Sequence, residues 1–334
     1  TVLGLSSGLY WSGESVDADN AYVVDMSDGS VWTKQKIQPI TRTLPTNMSR
    51  YTSQLYNDKI YMPSYDGKTM EIYDIATGTT TTRTLPTRMH RRTSQLYNGK
   101  IYMPGDGDTT MDIYDIATGT STTVTLPTNM SRYTSQLYND KIYMPSYDGK
   151  TMEIYDIATG TTTTRTLPTR MHRRTSQLYN GKIYMPSYNG TTMEIYDIAT
   201  GTSTTATLTK NMTRITSQLY NGKIYMPSYD GKTMEIYDIA TGTSTTVIIS
   251  YYRGNRTTSQ LYNGKIYMPS NHTGEMEIYD IATGTATTVT FPIYMTKYTS
   301  QLYNGKIYMP SFSGTKMEIY DIATGTSTTA TLTK

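Results

Sequence analysis

The chain contains no cysteine, and only two phenylalanines, two tryptophans and three histidines among its 334 residues. Without cysteine it can form neither a disulfide nor a thiolate metal site, so cysteine usage does not identify the redox compartment. No apolar run approaches the roughly 18 residues that a membrane span requires, and we expect no membrane span. Because the chain begins at Thr1, we expect a mature or trimmed product.

Charge and helical patterning are also weak. A net charge of +3 is too small to predict nucleic-acid binding. No segment repeats apolar residues at helical spacing for three turns, whereas Thr, Tyr and Ile are abundant. The composition therefore predicts an all-β chain with almost no helix.

The dominant feature is an internal repeat. The block Ser-Gln-Leu-Tyr recurs at intervals of 41 residues, with one interval of 42. It begins at Ser53, Ser94, Ser135, Ser176, Ser217, Ser259 and Ser300. A period near 40 residues is typical of one supersecondary unit repeated in tandem, and it favours one cyclic domain over residues 1–334.

The repeat that starts at Ser94 reads as four antiparallel strands. Asn98-Gly99 is a strong hairpin signal between the first two, and the second strand stops at Pro104, which lacks the N–H for a ladder bond. A third strand over 111–114 ends at Asp115, whose carboxylate can cap the next turn, and a Thr-rich fourth strand covers 120–126. Four such strands repeated in a ring predict a β-propeller.

The first 52 residues look like a diverged copy of this unit. Leu9-Tyr10-Trp11 stands where the repeats have Ile-Tyr-Met, and residues 23–29 stand where they have Ile-Tyr-Asp-Ile-Ala-Thr-Gly. With residues 1–5 as a first strand, the chain would hold eight blades: a diverged blade over 1–52 and seven repeats over 53–334. The alternative is seven blades with an accessory N-terminal segment.

The segment 91–102, followed by Ile113-Tyr114-Asp115, resembles the kelch repeat. The segment 60–79 is similar to the Tyr-Val-Thr-Asn repeats of prokaryotic surface proteins. Both families are β-propellers, so both resemblances imply that fold.

Differences between the copies predict a functional surface. The turns between strands one and two and between strands three and four are nearly constant, whereas the links between blades and the loops between strands two and three vary. Successive turns of a meander alternate ends, so one end of the ring should be constant and the other diversified. Drift of exposed loops is the alternative explanation, but it should affect both ends alike.

One position of the variable link keeps a positive charge, and by resemblance to kelch domains these cations line a ligand pocket. The series is Arg50, Arg91, Arg132, Arg173, Arg214, Arg256 and Lys297. Arginine can bind carboxylate, sulfate or phosphate through two donors, although pairing with a backbone carbonyl or a neighbouring carboxylate is an equal alternative. The ring and imidazole side chains expected on the same face are Tyr51, His90, Tyr133, His172, Tyr252 and Tyr298.

Six Asn-Xaa-Ser/Thr sequons fall on this variable face. They start at Asn47, Asn129, Asn189, Asn211, Asn255 and Asn271. Glycosylation suits an exported protein, but a chain rich in Thr and Ser acquires such triplets by chance.

The chemistry expected of an enzyme is not evident, because the same groups recur seven times and the three histidines have no metal-ligand spacing. The repeated aspartates, such as Asp115, are interpreted as turn caps, and Tyr73 and its equivalents as blade packing. We therefore expect a prokaryotic protein without catalytic activity, metal or cofactor, extracellular or at the cell surface, that binds a glycan or protein. The alternatives are a protomer of an extracellular fibre or layer, joined through the Thr-rich fourth strands such as 79–84, and a kelch-like enzyme.

Overall fold

The computed structural model describes the following residues: 9–15, 20–25, 31–35, 52–64, 67–86, 93–105, 108–130, 134–168, 175–187, 190–212, 217–228, 231–249, 258–270, 274–292, 299–311 and 316–331. The described residues contain no helix. The chain divides into two compact units, residues 1–41 and 42–334.

The N-terminal unit is a three-stranded antiparallel sheet of β1 (Leu9–Ser15), β2 (Asn20–Asp25) and β3 (Val31–Gln35). Its register differs by one residue from the one that the sequence comparison implies. Leu9 pairs with Asp25, as Lys59 pairs with Asp74 in a repeat, so Leu9 corresponds to the Lys and not to the Ile of the repeats. The expected first strand over 1–5 lies outside the described residues, and the origin of this unit as a blade stays a prediction.

The larger unit consists of seven four-stranded antiparallel sheets, the blades. Their first strands are β4 (Gln54–Tyr56), β8 (Gln95–Tyr97), β12 (Gln136–Tyr138), β16 (Gln177–Tyr179), β20 (Gln218–Tyr220), β24 (Gln260–Tyr262) and β28 (Gln301–Tyr303). The second strands are β5 (Lys59–Pro63), β9 (Lys100–Pro104), β13 (Lys141–Pro145), β17 (Lys182–Pro186), β21 (Lys223–Pro227), β25 (Lys265–Pro269) and β29 (Lys306–Pro310).

The third strands are β6 (Thr69–Asp74), β10 (Thr110–Asp115), β14 (Thr151–Asp156), β18 (Thr192–Asp197), β22 (Thr233–Asp238), β26 (Glu275–Asp280) and β30 (Lys316–Asp321). The fourth strands are β7 (Thr79–Thr84), β11 (Thr120–Thr125), β15 (Thr161–Thr166), β19 (Thr202–Thr207), β23 (Thr243–Ile248), β27 (Thr285–Thr290) and β31 (Thr326–Thr331). Each blade is a meander in which consecutive strands are neighbours.

The turn chemistry is the one that the sequence predicts. Asn98 and Gly99 both have positive φ, 46° and 70°, as the hairpin between the first two strands requires. The Asp115 carboxylate accepts hydrogen bonds from the backbone N–H groups of Ala117 at 3.0 Å and Thr118 at 3.1 Å. Its interpretation as a turn cap is therefore confirmed.

The ring closes with seven blades. The Gln54 side-chain amide donates to the Ser94 carbonyl of the next blade at 3.1 Å, and Gln301 of the seventh blade donates to the Ser53 carbonyl of the first at 3.0 Å. First strands of neighbouring blades approach each other this closely because they surround the axis, whereas the fourth strands form the outer rim. The β-propeller is thus confirmed, and of the two blade counts that the sequence left open the structure has seven.

The core lies between the blades, which pack face to face. Met70 of blade one contacts Ile101, Met103 and Tyr114 of blade two, and all four are buried. Burial of each such side chain contributes about 1.5–3 kcal/mol before entropy is subtracted. The same packing joins the last blade to the first, where the rings of Tyr73 and Tyr308 lie 6.4 Å apart, so the expected role of Tyr73 in blade packing is confirmed.

Candidate functional site

The ring has a constant end and a variable end, as the alternation of turns predicts. At the constant end the turn after the third strand contacts the first hairpin, because the Ile116 N–H donates to the Gly99 carbonyl at 3.0 Å. At the other end the link contacts the loop between strands two and three, where Leu126 N–H donates to the Thr109 carbonyl at 2.6 Å. The two variable connections therefore share one surface.

The sequence-predicted binding residues lie on parts of the links outside the described residues. This holds for Arg50, Arg91, Arg132, Arg173, Arg214, Arg256, Lys297, Tyr51, His90, Tyr133, His172, Tyr252 and Tyr298. It also holds for the sequon residues Asn47, Asn189, Asn255 and Asn271. Asn129 and Asn211 are described, and both are exposed at the variable end.

The links are anchored at their roots. The Met130 N–H donates to the Asp108 carbonyl at 3.0 Å, and the Met130 side chain is fully buried. Met212 occupies the equivalent position in the link before blade five, and it is 2% exposed. A buried methionine next to exposed Asn129 or Asn211 fixes where the variable surface begins.

A ring of buried carboxylates is the main feature that sequence reasoning missed. Each blade buries one acidic side chain in its third strand, with at most 3% of the residue exposed. The seven residues are Glu71, Asp112, Glu153, Glu194, Glu235, Glu277 and Glu318. Polarity gave no signal for this burial, which arises because the third strand is flanked by other strands and neighbouring blades cover both of its faces.

Threonine hydroxyls solvate these carboxylates. Glu153 accepts hydrogen bonds from Thr164 of the fourth strand at 2.6 Å and from Thr128 of the preceding link at 2.9 Å. In blade five the Glu235 carboxylate accepts from the Thr209 backbone N–H at 2.7 Å. Since a buried charge is costly unless it is hydrogen-bonded, these contacts stabilise the interior and tie two of the variable links to the core.

Within the described part of blade seven, the Glu318 carboxylate is hydrogen-bonded through only one of its oxygens. Glu318 Oε2 accepts from the Thr329 hydroxyl at 2.6 Å, whereas Glu318 Oε1 is buried and has no hydrogen-bond partner among the described residues. Its carboxylate is less well solvated than that of Glu153.

The constant end carries one ion pair per blade between the lysine that starts the second strand and the turn-capping aspartate. Lys265 and Asp280 are 3.1 Å apart, and their side chains are 46% and 24% exposed. The backbone N–H of Thr118, followed by that of Ala117, holds the pKa of the Asp115 carboxyl below its usual value. In Asp74 the hydrogen bond from Lys59 is the leading cause of the lowered pKa.

Within the described ranges, no three His, Cys, Asp or Glu side chains come together in a group that could hold a metal ion. The described residues also include no helical segment that could span a membrane.

The sequence matches no protein-family profile and no curated protein sequence, so the kelch resemblance is not confirmed. The structure is similar to solved propellers. A streptogramin B lyase matches with a TM-score of 0.69 at 14% identity, over 80% of this chain and 92% of that one. A selenomethionine-substituted virginiamycin B lyase from Staphylococcus aureus matches with a TM-score of 0.70 at 12% identity, over 80% and 93% of the two chains.

A computationally designed protein, Ika8, matches with a TM-score of 0.58 at 14% identity, over 98% of this chain and 94% of that chain. At these identities the likeness shows the fold.

The comparison corrects one expectation from the sequence. We expected no enzymatic activity because the repeats offer the same groups seven times, and this inference is contradicted by the two lyases, which are enzymes of the same fold. Repetition of a blade constrains its strands, whereas the connections between strands can carry individual groups. A repeated scaffold is therefore no argument against catalysis.

Proposed function

We propose that this propeller is a binding protein of a prokaryotic cell surface, whose variable end presents its diversified links and loops to a glycan or protein. The observation that carries the proposal is the division of the ring into a constant and a variable end, with the roots of the variable links fixed in the core. Function commonly resides on loops that a rigid scaffold positions.

The anchoring supports binding because it lowers the entropic cost of ordering a loop upon association. The link before blade three is held by three independent contacts: the buried Met130 side chain, the Met130 N–H and the Thr128 hydroxyl on Glu153. Only the outer part of such a link is free to differ between copies without loss of core packing.

The repetition supports multivalent binding. Seven blades form a single ring, and the cation series places one positive charge in the segment before each blade. Several weak sites on a rigid frame give an avidity that exceeds the affinity of each by orders of magnitude, about 10²–10⁴-fold in favourable geometry.

The test is retention of immobilised cell-surface extract and a glycan array by the wild type and by the double variant Arg91→Ala with Arg173→Ala. Lys100→Ala is the matched control, since Lys100 lies at the constant end with its side chain 48% exposed. We expect the double variant to lose most retention and Lys100→Ala to keep it. Equal retention by all three proteins, or no retention by the wild type, contradicts the proposal.

A second candidate function is a protomer of an extracellular fibre or layer, and one observation favours it. The fourth strands form the open outer edges of the blades, and Ile248 at the end of β23 is 83% exposed. Exposed edge strands with few charges can pair with another chain. In the six other blades the same position is threonine, as in Thr125 and Thr290.

Electron microscopy and light scattering over a concentration series test this second function. We expect assembly of the wild type and weaker assembly of Ile248→Thr, which restores the residue of the other blades. Discrete monomeric rings at every concentration contradict it.

A further inference from the structure

A polar groove lies between the outer parts of blades three and four, at the constant end and away from the variable surface. It has a volume of about 330 Å³. Blade three contributes Lys141, Asp156, Thr163 and Arg165, and blade four contributes Tyr196 and the turn 198–201. The groove thus combines two cations, one carboxylate and several hydroxyls.

Arg165 distinguishes blade three from most other blades. In the fourth strands of five blades the equivalent residue is small and apolar: Val124, Ala206, Val247, Val289 or Ala330. Only Arg83 of blade one repeats the arginine. Two of the seven blades therefore carry a guanidinium group at this position.

Both arginines extend across the groove to the next blade. Arg165 Nε lies 3.8 Å from the position that a Cβ would take at Gly201, and Arg83 Nε lies 3.7 Å from the corresponding point at Gly119. At Gly160 and Gly242, which follow blades without this arginine, the nearest atom is only the hydroxyl of a tyrosine in the same blade. The two arginines take up the same position independently.

The cations of the groove differ in availability. Lys141 pairs with Asp156, whose other carboxylate oxygen accepts from the backbone N–H groups of Ala158 and Thr159 at 3.0 and 3.1 Å. Among the described residues, Arg165 and Arg83 make no ion pair with a carboxylate, and both side chains are exposed. Each guanidinium can therefore present its donors to an anion, with threonine hydroxyls beside it.

We propose that the grooves at Arg83 and Arg165 bind the acidic residues of an anionic saccharide, with the guanidinium on the carboxylate or sulfate and the threonine hydroxyls on the sugar. Arginine matches both anions through paired donors, and the polar walls suit hydroxyl groups. This inference goes beyond the proposed function, because it concerns two sites that lie away from the links.

The two copies predict a stoichiometry. Native mass spectrometry of the full chain with galacturonic acid tetramer, a κ-carrageenan tetrasaccharide and a neutral galactose tetramer counts the bound molecules. We expect the wild type to bind two more molecules of an acidic probe than Arg83→Val with Arg165→Val, and Arg165→Val to bind one more than this double variant. Valine occupies the equivalent position in blade two, so these variants should keep the fold, which circular dichroism checks.

A gain of function makes the test sharper. Val124→Arg places an arginine beside Gly160, the third at this position in the ring, and we expect one more bound molecule than on the wild type. Binding of the carboxylated or of the sulfated probe at these counts supports the proposal and identifies the anion. Unchanged counts in the double arginine variant, equal binding of the neutral probe, or no binding of either acidic probe overturns it.

The outcome is distinguishable from that of the proposed function. Arg91→Ala with Arg173→Ala alters the links alone, and in this background we expect Arg83→Val with Arg165→Val to remove two acidic molecules, as it does from the wild type.

Discussion

The Tyr303 hydroxyl of the seventh blade donates a hydrogen bond to the Asp58 carboxylate of the first, across the junction where the ring closes. Asp58 adopts a φ of 58° at a turn position where five blades have glycine. The only other blade with this aspartate is the third, where Tyr97 of blade two donates to Asp140. A residue in a strained backbone conformation thus coincides with a contact between blades.

Removal of the Tyr303 hydroxyl should weaken ring closure. We expect Tyr303→Phe to lower the free energy of unfolding, measured by urea denaturation, because the Asp58 carboxylate loses a donor. Tyr262→Phe is the matched control, since Tyr262 faces Gly305 and not an aspartate. Equal effects of the two substitutions would show that the hydrogen bond does not stabilise the junction.

Acid should destabilise the propeller through the turn-capping aspartates. The pKa of each aspartate that ends a third strand is lowered from its ordinary value of 3.8. Because their folded pKa lies below the unfolded one, their contribution is fully present above pH 3.8 and is lost as pH falls through the folded pKa. We expect the urea midpoint to fall as the pH decreases below about 4.

One variant pair tests the cause of this acid sensitivity. The Thr118 N–H is the leading cause of the lowered pKa of Asp115, ahead of Lys100, whose ammonium is 3.6 Å away. Asp115→Asn should therefore reduce the pH dependence more than Lys100→Met does. The reverse order, or a midpoint that is constant from pH 5 to pH 2, argues against the capping account.

The buried carboxylates should contribute differently to the free energy of unfolding, according to the number of hydrogen bonds that each accepts. Glu153 accepts from Thr128, Thr151 and Thr164, at 2.9, 3.3 and 2.6 Å. We expect Glu153→Ala to cost about 3 kcal/mol of unfolding free energy, because three hydroxyls lose an acceptor and a cavity opens.

Glu318→Ala is the comparison, because among the described residues its carboxylate accepts only from Thr329. We expect a smaller loss of stability in urea denaturation than for Glu153→Ala. A Glu318→Ala variant that is as unstable as Glu153→Ala would contradict the account of carboxylate solvation.

Glycine at the turn after each third strand should be required by its backbone conformation. Gly242 has a φ of 70°, and a Cβ there would meet no atom closer than 3.8 Å. Gly242→Ala should therefore cost about 1 kcal/mol in unfolding free energy through backbone strain, without steric clash. A loss of several kcal/mol in thermal or urea denaturation would indicate a packing role that the geometry does not provide.

The sequence predicted the blade well because its signals are local. Strand ends are marked by the Asn98-Gly99 turn, the stop at Pro104 and the Asp115 cap. No observed strand end differs from the expected one by more than one residue. The third strand, expected over 111–114, covers Thr110–Asp115.

The features that sequence reasoning missed depend on contacts between distant residues. The blade count depends on ring closure, which the hydrogen bond from Gln301 to Ser53 shows. The burial of Glu71 depends on the face of a neighbouring blade. Polarity alone suggests that such a glutamate is exposed. The register of β1 against β2 was misjudged for a similar reason, since a one-residue slip preserves the apparent pattern of Leu9-Tyr10-Trp11.

The most direct test of the variable end as the binding surface is backbone hydrogen exchange with and without the retained cell-surface fraction. We predict added protection at the roots of the variable connections, including the amides of Met130 and Tyr147, and none at the constant turns 98–99 and 116–119. Protection confined to the constant turns, or no change at either end, would contradict the account.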